Sequence, residues 1–237
     1  MTRLIPLLLL AATLLFAAAP FVTPGFGGFT PDQYPVPQVD PPVQPAGWAF
    51  SIWGVIYLWL IASAGYGLLR RADSADWARA RPWLLASLAP GIAWLWVALQ
   101  SPVWAAVLIW WMTLTALGAV KRAGHEDRWW QREAYGIYAG WLTAAACVSL
   151  GLLGAGWGLA GQTVAAVAAI LFALAIALIV QRARPDILSY PLAVIWALAG
   201  IVAQNVTLGN LPVMALAALG IVLLAARIAL RATPRAA

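Results

Sequence analysis

The side chains able to do acid–base, nucleophilic or metal chemistry are few, and they lie in the wrong places for it. The 237 residues include one histidine, one cysteine, eight acids and fourteen lysines and arginines. His125 sits in the charged stretch KRAGHEDRWW and reads as a solvated loop residue. Cys147 lies in an apolar run, where a single thiol makes neither an intrachain disulfide nor a metal site. No acid or base falls in the middle of any long apolar run. Ion-coupled transporters and proton pumps keep ionisable groups at membrane depth, so their chemistry is not expected. No Ser/His/Asp or Cys/His set and no glycine-rich phosphate loop is present, so no catalytic residue, no metal site and no enzymatic role are expected. What remains is aromatic surface: fifteen tryptophans, six tyrosines and six phenylalanines.

Those rings are not scattered evenly. Phe50, Trp53 and Tyr57 fall at i, i+3 and i+7 and so share one helical face. Tyr138, Trp141 and Ala145 repeat the pattern, with Ser149 one turn on and the small residues Ala144 to Ala146 beside them. Trp48, Trp77, Trp83, Trp104, Trp129, Trp130 and Trp157 lie near the ends of apolar runs, where interfacial belts favour indoles. Trp53, Trp59, Trp94, Trp96, Trp110, Trp111, Trp141 and Trp196 lie deeper. An indole N–H in hydrocarbon needs a partner, so each deep ring is either core packing or the wall of a cavity.

The elements that must position these rings are membrane helices. Hydrophobic residues make up 64% of the chain and charged residues 9%. Apolar runs near twenty residues recur without the alternation of a β-barrel, which gives an all-α polytopic membrane helix bundle. Eight spans are expected, at roughly 3–22, 47–69, 82–100, 102–120, 134–153, 159–181, 187–204 and 211–230. Pro90 and Pro191 predict kinks or local unwinding in the third and seventh. The start MTRLIPLLLLAATLLFAAA is also signal-like, but it is long enough to span and leads into a short loop and another helix.

With the N-terminus in the cytoplasm, all fourteen basic residues fall on the cytoplasmic side. Loop 23–46 carries only Asp32 and Asp40 and falls outside. Both termini are therefore expected in the cytoplasm of a bacterium, with the chain in its inner membrane. The net charge of +6 reflects this positive-inside bias and not a nucleic-acid partner. Loop 23–46 is rich in proline and glycine and carries Phe26, Phe29 and Tyr34; it is either a connector or a lid.

The stretch Pro45-Ala46-Gly47-Trp48-Ala49-Phe50, followed by Trp53-x-x-x-Tyr57, resembles the second helix of the TspO/MBR family. These are the tryptophan-rich sensory proteins related to the mitochondrial translocator protein. Tyr138-x-x-Trp141 is similar to the Tyr-x-x-Trp of the family's fifth helix. The resemblance covers about residues 1–155, a five-helix unit, with 156–237 as an additional three-helix segment. It implies an aromatic pocket beneath the first loop, binding a porphyrin or another flat hydrophobic ligand, a sensory or regulatory role, and a homodimer. The matched pocket residues are Trp48, Phe50, Trp53, Tyr57, Tyr138 and Trp141. Trp196 lies outside that unit and is expected to be independent of the pocket. The alternatives are a permease for a neutral substrate and a structural subunit of a pigment-containing membrane complex.

Overall fold

In the computed structural model, residues 3–23 and 28–232 are described, with side chains through 230. Phe26 therefore lies outside the described residues. Among those described there are nine α-helices and no strand: α1 (Leu4–Val22), α2 (Ile52–Arg70), the single turn α3 (Ala75–Ala78), α4 (Arg81–Gln100), α5 (Pro102–Arg122), α6 (Glu133–Gly156), α7 (Gln162–Ala183), α8 (Ser189–Leu208) and α9 (Leu211–Ala232). A 3₁₀ turn, Gly47–Ser51, leads into α2, and a π turn, Arg128–Arg132, leads into α6. Eight of the helical segments are long and apolar enough to cross a membrane, and they coincide with the eight expected spans. The chain is a polytopic helical membrane protein.

Neither proline unwinds its helix. α8 begins at Ser189, which puts Pro191 in its first turn. The N–H that proline lacks has no intrahelical acceptor there, so no unwinding follows. α4 runs through Pro90 without interruption. Pro90 cannot donate to the carbonyl of Ala86, one turn back. The indole N–H of Trp111, on α5, donates to that carbonyl at 3.0 Å. A lipid-facing tryptophan thus repairs the hydrogen bond that the proline removes. Trp59 donates to the Trp129 carbonyl (2.7 Å) and Trp94 to that of Ala105 (2.9 Å), so these indoles also find backbone acceptors. Backbone carbonyls thus satisfy indole N–H groups in a medium with no water to do so.

α6 is the central helix. α5, α7 and α8 all pack along it, while α9 packs against α7 and α8. Gly136 and Gly140, one turn apart, let α8 approach. A Cβ on Gly140 would stand 2.3 Å from the Tyr190 carbonyl oxygen, and one on Gly136 would stand 2.4 Å from Ser189 Oγ. This is the small-xxx-small rule of membrane packing. α7 and α8 therefore pack directly on α6, and α9 packs on α7 and α8.

The end of the bundle rich in arginine is tied by charges. Glu133, 1% exposed, pairs with Arg128 at 2.9 Å and accepts the backbone N–H groups of Leu188 and Ser189 at the start of α8. Arg81, 2% exposed, donates to the carbonyls of Gly67, Arg71 and Ala72 and so caps α2. Burial works against the Asp127 carboxylate, but hydrogen bonds from Arg71, Trp77 and Tyr66 outweigh it and hold its pKa below the ordinary value. Hydrogen bonds from Arg184, and then Arg132, hold Asp186 well below the usual carboxylate range against its partial burial.

The opposite end is closed by the described part of loop 23–46. Gln33 donates to the Ala98 carbonyl on α4, and Val36 N–H to Gly156 on α6. Asn205 on α8 donates to the Pro42 carbonyl (2.7 Å), and Ala46 N–H to Gly200 (3.0 Å). Tyr34 is buried against Gly156 and Trp157, and that burial raises its hydroxyl pKa.

Candidate ligand cavity

Trp53 and Tyr57 are one turn apart on α2, so their rings stack, with centroids 5.2 Å apart and planes 19° apart. Phe16 of α1 meets both edge-on, at 5.8 and 5.4 Å. It reaches them because position 91 on α4 is glycine: a Cβ there would stand 2.8 Å from the Phe16 ring. Trp141 of α6 meets Phe50 at 5.7 Å and Trp53 at 6.2 Å, again edge-on. These are the separations and tilts that aromatic quadrupoles favour.

The rings enclose a cavity of about 520 Å³. Its walls are Phe16, Ala19 and Pro20 from α1, the Phe50–Trp53–Tyr57 face, Gly91, Trp94 and Leu95 from α4, Ile109 and Met112 from α5, and Trp141, Leu142 and Ala145 from α6. Gly28 and Gln44 of the outer loop form its roof. A recess of about 70 Å³ extends it beneath Phe29 and Pro45 towards Val148, Ser149 and Ala197. The Ser149 hydroxyl is turned to the Ala146 carbonyl at 2.7 Å. The Trp94 N–H is used by Ala105, which fixes that wall. The remaining neutral polar side chains of the main cavity are Gln44, Trp53, Tyr57 and Trp141. Among the described residues no charged side chain lines it. Sites for small molecules run to roughly 300–1,000 Å³ and are mostly apolar with a few polar groups, and this cavity falls in that class.

Of the six residues picked from sequence, Phe50, Trp53, Tyr57 and Trp141 line this one cavity. Tyr138 does not. It is fully buried behind Phe16, edge-on at 5.9 Å, with its hydroxyl 2.9 Å from Ser87 Oγ. Trp48 does not line it either. It is 48% exposed and meets Trp196 edge-on at 5.0 Å. Trp196 is not independent of the motif, because its indole N–H donates to the Ala49 carbonyl at 2.8 Å. The wall residues Phe16, Met112 and Gln44 lie outside the sequence motifs. Phe16 is the one ring in the α1 run before Pro20, a weak signal that only the Gly91 contact explains.

The family model described as TSPO-like protein matches residues 7–230, through all eight membrane helices. No curated protein and no solved structure matches the chain. With that match spanning nearly its whole length, the chain belongs to the TSPO-like protein family.

Proposed function

We propose that the protein binds a flat hydrophobic molecule of the tetrapyrrole class in the ring-walled cavity and serves a sensory or regulatory role without catalysing a reaction. The observation that carries this reading is the convergence of Phe16, Phe50, Trp53, Tyr57 and Trp141 from three helices on one enclosed apolar space. Flat rings present π faces and edges to a planar ligand at little cost in side-chain entropy. The outer loop, held to α4, α6 and α8, acts as the lid, with Phe29 and Gln44 as its contacts to the ligand. Purification of the full chain from native membrane in mild detergent, with an absorption spectrum and mass spectrometry of what co-purifies, tests it. A ring-containing lipid-soluble compound at near-equal molar ratio is expected. A colourless preparation that also fails to bind added tetrapyrrole would end the reading.

The membrane is proposed to be the bacterial inner membrane, with both termini in the cytoplasm. Arg71, Arg128, Arg132 and Arg184 join one set of ion pairs at one end of the bundle, and the loop with Asp32 and Asp40 closes the other. Reporter fusions after Ala237 and within 23–46 should read opposite sides of the membrane; the same side for both would overturn this orientation.

A further inference from the structure

The cavity differs in one respect from a site built for an acidic tetrapyrrole. No lysine, arginine or histidine occurs anywhere in residues 4–69, 82–120, 134–181 or 187–226, the stretches that supply every described wall and the roof. The only acids or bases in those stretches are Asp32 and Asp40, both exposed on the outer loop. A carboxylate carried into the cavity would lose water and meet no cation. The loop that roofs the cavity carries two acids and no base to offer it instead. The groups offered instead, the Gln44 amide, the Trp53 and Trp141 indoles and the Tyr57 hydroxyl, suit carbonyl, ester or hydroxyl oxygens.

We propose that this cavity selects uncharged macrocyclic or polycyclic molecules and rejects those carrying free carboxylates. The proposal rests on the ligand-binding reading above and names the class of ligand. A buried cation is the usual device for holding a carboxylate, through charge-assisted hydrogen bonds, and this chain places all its cations elsewhere.

The test uses the full chain in a neutral detergent and two probes with one ring system: protoporphyrin, a diacid, and its uncharged dimethyl ester. Ala145→Trp, which fills the cavity from α6, sets the baseline for partition into the micelle. Against that baseline the ester is expected to bind at least about tenfold more tightly than the diacid. Gln44→Lys, which puts a cation in the roof, is expected to raise the affinity for the diacid and bring the two probes within about threefold. Diacid affinity equal to or above that of the ester would overturn the proposal and leave the binding reading standing. An unchanged ratio in Gln44→Lys would overturn its electrostatic cause. If neither probe separates the wild type from Ala145→Trp, the binding reading itself fails, and the selectivity falls with it.

Discussion

Glu133→Ala is expected to lower the stability of the purified protein by about 2–4 kcal/mol. The side chain is 1% exposed and has two tasks. One oxygen pairs with Arg128, and the other accepts the N–H groups of Leu188 and Ser189. Those amides are among the orphan donors at the start of α8, and a carboxylate there also meets the positive end of the helix dipole. Arg128 is 39% exposed and can turn to water, so little of the loss comes from a stranded cation. Most of it comes from two amides left without an acceptor. Glu133→Gln keeps an acceptor oxygen and should recover at least half of the loss. Unfolding in mixed micelles by titration with a denaturing detergent measures both. A change below about 1 kcal/mol in Glu133→Ala would mean that α8 is held to α6 by packing alone.

Gly140→Ala is expected to be nearly as damaging, at about 1–3 kcal/mol or more, although it adds one methyl group. The new Cβ would lie 2.3 Å from the Tyr190 carbonyl oxygen and 2.9 Å from the Ala193 Cβ. The first of these is backbone, so relief requires α8 to move away from α6 along its length. That displacement would also strain the Glu133 cap and the Trp196–Ala49 bond. Gly65→Ala is the control: it sits within α2 with nothing inside 4 Å of the added atom. It should be neutral or slightly stabilising, since alanine favours helix over glycine. Equal losses in both variants would show that helix propensity, and not the α6–α8 approach, sets the effect.

The helices and four of the cavity's rings were legible because membrane sequence reports them locally. Twenty apolar residues make a span whatever surrounds them, and i, i+3, i+7 spacing fixes a face. Phe50, Trp53 and Tyr57 could therefore be grouped correctly, and Trp141 with them. Tyr138 shows where spacing stops helping. α6 is buried on nearly all sides, so every face of it looks aromatic or small, and only packing decides which ring meets empty space. Trp48 misled because the 3₁₀ turn Gly47–Ser51 precedes α2 and its ring meets α8. The close approach at Gly136 and Gly140 emerges only from the packing, because a glycine pair does not name its partner helix. The Trp196–Ala49 bond joins residues 147 apart, and no local pattern announces it.

The central claim is that rings from α1, α2 and α6 hold a ligand between them. Titration of protoporphyrin dimethyl ester, followed by quenching of tryptophan fluorescence, tests it most directly. The proteins to compare are the wild type, Trp53→Phe, Trp141→Phe and Trp104→Phe. Phenylalanine keeps most of the bulk, so stability is largely preserved. A ring contact adds about 0.5–1.5 kcal/mol beyond its buried area, so losing the indole at 53 or 141 should weaken binding by up to roughly tenfold. Trp104 is 64% exposed at the start of α5, away from the cavity, and its replacement should leave the affinity unchanged. Equal affinity in all four proteins would contradict the claim and make these rings packing for the bundle alone.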